Sequence, residues 1–105
     1  MCSIFGQINL SGDLVDKKKF IDASNNLEHR GPDKKSYFSD KNYFQFGFNR
    51  LAILDLNETG DQPMISDCGR YICIFNGEIY NHKSLYNEIK HKFKWRGSSD
   101  TEILV

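Results

Sequence analysis

Cys2 is the residue whose position is chemically suggestive. Removal of Met1 would leave a thiol and a free α-amine on one residue. An α-amine titrates near 7.7–8, so part of it is neutral near neutrality and can act as a base, directly or through water. The thiol, with an ordinary pKa of about 8.5, is then the nucleophile, and no histidine partner is needed. By position alone, an incidental cysteine beside a start codon is the simpler account. Three other places carry usable chemistry. Arg50 has the planar, permanently charged fork that grips a carboxylate through two parallel hydrogen bonds, although an ordinary surface arginine reads the same way. Asn76-Gly77 offers a side-chain amide donor and a backbone N–H that a ligand can approach closely, although the dipeptide is also a common hairpin turn. Asp100 is an acid in the first turn of an announced helix, a position that favours an acid in any case.

Short elements must hold these residues. The run 4–8, Ile-Phe-Gly-Gln-Ile, reads as a first strand. Phe20, Ala23, Ser24 and Leu27 share one side of a 3.6-residue period, which predicts an amphipathic helix over about 16–28, stopped by Gly31-Pro32. In 43–49, Phe44, Phe46 and Phe48 alternate with Gln45, Gly47 and Asn49. The apolar run 51–54 reads as a strand covered on both faces, and 57–63 as a turn. A further buried strand is expected over 71–75, then a helix over 82–93 with Leu85, Ile89 and Phe93 in register. Ser99-Asp100-Thr101-Glu102 has the form of a capping box, and the apolar Ile103-Leu104-Val105 that follows reads as a truncation point.

Bulk properties narrow the class. Fourteen basic and fourteen acidic residues cancel, and Lys17-Lys18-Lys19 is the longest basic run, so neither nucleic acid nor a membrane surface is an expected partner. No signal peptide or membrane span is legible, and three unpaired cysteines suit a reducing cytoplasm. The cysteines and His29, His82 and His91 lack metal-site spacing, so no metal is expected.

Five blocks follow Cys2 in order: His29-Arg30-Gly31-Pro32-Asp33, Arg50-Leu51-Ala52-Ile53, Gly60-Asp61-Gln62-Pro63-Met64, Asn76-Gly77-Glu78-Ile79-Tyr80-Asn81 and Ser99-Asp100-Thr101-Glu102. With Cys2 they resemble, over the whole chain, the class II glutamine amidotransferase domain of glutamine-hydrolysing asparagine synthetases. The resemblance implies an α+β protein of the N-terminal nucleophile hydrolase type, an αββα sandwich of which only the first part is present. It implies that Cys2 attacks the side-chain amide of L-glutamine, that Asn76 and Gly77 form the oxyanion hole, and that Arg50 clamps the α-carboxylate. Leu51 and Ile53 would line the substrate site. Asp100 would pair with the α-ammonium, assisted by Glu78, while His29, Arg30 and Asp33 would shape a nearby loop. Ser3 stands where the family commonly has glycine, and Asn49 where it often has histidine. The family's remaining strands and its synthetase domain, which uses ATP and magnesium and forms a homodimer in some full-length proteins, are absent from these 105 residues. Asparagine-synthetase-like proteins with other ammonia acceptors share the same blocks. A non-catalytic fragment or binding module is the alternative reading.

Overall fold

The computed structural model describes residues 2–11, 13, 14 and 16–105; Met1, and with it the expected processing that frees the Cys2 amine, lies outside them. The elements in order are β1 (Ser3–Ile8), α1 (Lys17–Asn26), β2 (Lys34–Ser39), β3 (Phe44–Arg50), β4 (Met64–Ile65), β5 (Ile72–Cys73) and α2 (His82–Ile89). Tight 3-10 turns occupy Glu28–Arg30, Glu58–Gly60 and Asp100–Leu104. All pairing is antiparallel, in a three-stranded sheet of order β1-β3-β2 and a two-stranded ribbon of β4 and β5.

Local chemistry explains the boundaries. Asp16 caps α1 by accepting the Lys19 N–H at 3.0 Å. The β2–β3 connection closes on Asp40, whose Oδ1 accepts the N–H groups of Asn42, Tyr43 and Phe44 at 2.8–2.9 Å. Those donors, Phe44 foremost, hold the Asp40 carboxyl below its ordinary range.

The alternation in β3 is as expected, but its polar face is the one α1 covers. Gln45, Asn49 and the neighbouring Ser3 of β1 are all buried. Phe20 of α1 packs on Phe5 with ring centroids 4.8 Å apart, and Phe5 lies against Gly47, where a Cβ would overlap its ring. Asn49, fully buried, accepts from the Ser24 hydroxyl at 2.7 Å and donates to the Ser24 carbonyl at 2.8 Å. The opposite face carries Ile4, Ile8, Phe44, Phe46 and Phe48. It is covered at the Phe48 end, where Phe48 is 1% exposed and the neighbouring Ser36 hydroxyl donates to the Gln62 carbonyl, whereas Ile4 and Ile8 are exposed, Ile8 at 68%.

Several expectations need correction. Residues 51–54 form no strand, and Ile53 and Leu54 are exposed. The strand expected over 71–75 shrinks to β5, and α2 ends at Ile89, which leaves Phe93 beyond it and exposed. Within α1 the buried pair is Phe20 and Ser24, whereas Ala23 faces solvent. Strand β2 was not anticipated. The capping box is half formed: Ser99 Oγ accepts the Thr101 N–H at 3.2 Å, but Glu102 turns back to accept the N–H groups of Arg96 and Gly97 at 2.6 and 3.1 Å.

The Ser3 hydroxyl is buried and has no hydrogen-bond partner among the described residues. Ser3→Ala removes a desolvated polar group without opening a cavity, so it should stabilise the chain by about 1 kcal/mol. Urea unfolding reads this as a higher midpoint at constant slope; a lower midpoint would mean that the hydroxyl is satisfied by water.

Candidate functional site

Strand register sets the first part of the site. Antiparallel pairing of Ser3 with Asn49 brings the residue before β1 beside the end of β3. The Leu51 N–H donates to Cys2 Sγ at 3.3 Å, and the sulfur lies 3.5 Å from the Leu51 carbonyl oxygen. The loop that carries Arg30 and Asp33 ties both strands together. Arg30 Nε donates to the Cys2 carbonyl at 3.3 Å, the Asp33 N–H donates to the Arg50 carbonyl at 3.0 Å, and Asp33 Oδ2 accepts the Ala52 N–H at 2.7 Å. Gly31 is what lets this loop lie on β3. His29 projects to solvent and takes no part in these contacts.

Arg50, with its side chain 8% exposed, is buried at the end of β3 and held by the loop that follows. Nη1 donates to the Asn57 carbonyl at 2.8 Å and to Asp61 Oδ1 at 2.6 Å. Nη2 donates to the Asp55 carbonyl and, more loosely at 3.5 Å, to that of Leu54. Asp61 is shared with Lys34, whose ammonium it raises in pKa through their hydrogen bond. Gly60 has to be glycine-sized, because a Cβ there would sit 2.5 Å from Arg50 Nη2.

Asp55 adopts φ of +48°, a conformation that aspartate tolerates better than most residues. Its carboxylate accepts the Thr59 hydroxyl at 2.9 Å and the Ser98 N–H at 2.9 Å. Burial opposes its charge, but the Ser98 and Asn57 N–H groups, the Thr59 hydroxyl and nearby Arg50 outweigh burial and hold the carboxyl below its ordinary range.

A second brace is Gln62, buried between two segments. Its Oε1 accepts the Phe75 N–H, and its Nε2 donates to Thr101 Oγ1 at 3.1 Å. Gln62 therefore ties the segment entering Asn76-Gly77 to the one carrying Asp100. Asp100, 5% exposed, accepts the Ile79 N–H at 2.8 Å through Oδ2. Neither Asn76 nor Gly77 has a positive φ, and the next element is α2, so the dipeptide is not a type I′ hairpin turn.

These segments enclose an open cavity of about 330 Å³. Cys2, Arg50, Leu51, Ile53, Asn76, Gly77, Glu78 and Asp100 all line it, together with Gln62, Gly60 and Tyr80. The volume lies at the small end of ligand sites, about 300–1,000 Å³, which suits a metabolite of amino-acid size. Asp55, Asp61 and Gln62 were not singled out from the sequence as site residues; the Gly-Asp-Gln-Pro-Met block was the signal for two of them. No cluster of metal-ligating side chains occurs among the described residues.

The family described as glutamine amidotransferase domain matches residues 1–105. The chain belongs to that family. Among its relatives, asparagine synthetase B (glutamine-hydrolyzing) of Escherichia coli K12 is 35% identical over the whole of this amidotransferase domain. Asparagine synthetase (glutamine-hydrolyzing) 1 of Bacillus subtilis 168 is 39% identical, again over the whole chain. Amidase chry2 of Gibberella zeae is 35% identical over 91% of it. The chain spans 19%, 17% and 15% of the lengths of these three proteins. The amidotransferase domain is thus similar to the N-terminal domains of asparagine synthetases. No helix of the described residues is long and apolar enough to cross a membrane.

Proposed function

We propose that this chain is the first part of a glutaminase unit that hydrolyses L-glutamine to glutamate and ammonia through a thioester on Cys2. The observation that carries this reading is the convergence of a thiol, a guanidinium, a carboxylate and an Asn-Gly pair on one amino-acid-sized cavity. The Cys2 sulfur attacks the side-chain amide carbon while the α-amine, freed of Met1, takes the thiol proton and passes it to the departing ammonia. The oxyanion that forms is met by the Asn76 carboxamide and the Gly77 N–H. Water then cleaves the thioester and releases glutamate. Arg50 binds the α-carboxylate, Asp100 and Glu78 bind the α-ammonium, and Leu51 and Ile53 wall the methylene chain. The Leu51 N–H orients the sulfur.

In the whole protein, the open face of Ile4, Ile8, Phe44 and Phe46 receives a second sheet, which completes an αββα sandwich of the N-terminal nucleophile hydrolase type. A synthetase domain using ATP and magnesium follows and makes asparagine from aspartate with the released ammonia in the cytoplasm. The likeness to Amidase chry2, which does not carry the name of an asparagine synthetase, leaves room for a second reading, in which another acceptor takes the ammonia. Failure of the complete protein to form asparagine from aspartate, ATP and glutamine would select the second reading.

The decisive experiment is intact mass before and after incubation with 6-diazo-5-oxo-L-norleucine, a glutamine analogue that alkylates the attacking thiol. One adduct on a Met1-free chain, mapped to Cys2 and blocked by excess glutamine, is expected. Mapping matters because exposed Cys68 has its pKa lowered by the Ser66 hydroxyl and the Arg70 N–H, whereas burial raises that of Cys73. No adduct on a Met1-free chain would mean that these residues alone are a non-catalytic fragment.

A further inference from the structure

We infer that Asp55 is the positioning residue that sets the spacing between the two handles for the amino-acid end of the substrate, Arg50 and Asp100. This rests on the glutaminase reading above and adds to it the origin of selectivity for an α-amino acid. The two handles lie on segments distant in sequence. Asp55 touches both segments: its carbonyl accepts from Arg50 Nη2, and its carboxylate accepts the Ser98 N–H at 2.9 Å, two residues before Asp100.

The contact is built rather than incidental. Asp55 holds a left-handed backbone, its carboxylate is also gripped by Thr59 Oγ1 at 2.9 and 3.0 Å, and the opposing chain approaches closely at Gly97. A Cβ on residue 97 would fall 2.3 Å from Asp55 Oδ2 and 2.6 Å from Thr59 Oγ1. The segment entering Asn76 and Gly77 is held by a different residue, Gln62, which accepts the Phe75 N–H and donates to Thr101 Oγ1, next to Asp100, and neither bond involves Asp55. Loosening Asp55 therefore acts first on the placement of Arg50 and of the Ser98–Asp100 segment, and leaves the Gln62 bonds to Phe75 and Thr101 in place.

The test is glutaminase kinetics in the protein as its gene encodes it, with L-glutamine and with glutaramate, which lacks the α-amino group. Asp55→Asn keeps size and left-handed tolerance but turns one acceptor into a donor, so the bond to Ser98 or that to Asn57 is lost. A rise of about tenfold in KM for L-glutamine is expected, the size of one lost hydrogen bond to a charged group, with a much smaller fall in kcat. The preference for L-glutamine over glutaramate in kcat/KM should narrow by about the same factor. A purely structural role would depress both substrates alike and keep the preference intact, which would overturn the inference. Gly97→Ala forces the same segments apart from the other side and should narrow the preference too, so it decides the matter if Asp55→Asn does not fold. A wild-type protein that hydrolyses neither substrate and takes no adduct on Cys2 would overturn the glutaminase reading beneath the inference, a result distinct from the others.

Discussion

Replacing Cys2 with serine should abolish glutamine hydrolysis, lowering kcat by about 10³-fold or more while substrate binding survives. The change is one atom and nearly isosteric, so the Leu51 N–H keeps an acceptor and the register of β1 on β3 is undisturbed. What is lost is nucleophilicity. A hydroxyl holds its proton far more tightly than a thiol, and an α-amine is a weak base to remove it. Cys2→Ser should therefore retain protection by glutamine against thermal unfolding yet release no ammonia above background. Residual turnover near the wild-type rate would place the reaction elsewhere, and exposed Cys68 would then be the first residue to test.

The second large effect is expected at Gly31, which does not itself line the cavity. An added Cβ would lie 2.1 Å from the Asn49 carbonyl oxygen, 2.3 Å from its carbon and 2.7 Å from the Arg50 nitrogen. These are backbone atoms of the central strand, so no rotamer change relieves the overlap. Either β3 bends, or the 29–33 loop lifts and takes with it the Arg30 bond to the Cys2 carbonyl and the Asp33 bonds to Arg50 and Ala52. Gly31→Ala should destabilise by about 3 kcal/mol. Calorimetry would read a fall in Tm of more than about 10 °C for a chain this size. A fall of only a degree or two would show that the loop can stand off β3 at little cost, and that it does not organise the site.

Periodicity revealed α1, β3 and α2 because each has a side that packs and a side that does not. It failed at β2, where Lys34 and Lys35 open the strand and only pairing with β3 and the Asp40 turn specify it. Residues 51–54 misled for a physical reason. Leu51, Ile53 and Leu54 are apolar because they wall an open cavity, while the Leu54 carbonyl turns toward Arg50, and a wall cannot be told from a core by composition. The residues around the cavity were gathered by resemblance to a family, since nothing in their spacing links Cys2 to Asp100. Asp55 and Gln62 were hidden more deeply. Each acts by accepting backbone N–H groups from segments about 13 to 43 residues away, a role that leaves no local pattern.

Cys2 and Arg50 lie side by side at one end of the antiparallel ladder, just beyond the pair Ser3–Asn49, while Ile8 faces Phe44 at the other end. The separation of thiol and guanidinium is therefore measured out by backbone hydrogen bonds rather than by side-chain fit. Exchanging Ile4 or Ile8 for other strand-forming residues leaves that measure untouched. Adding or removing one residue within 3–8 or 44–50 would displace one group from the other by about 3.3 Å and turn every later side chain to the opposite face. These two segments can change their spelling far more freely than their length.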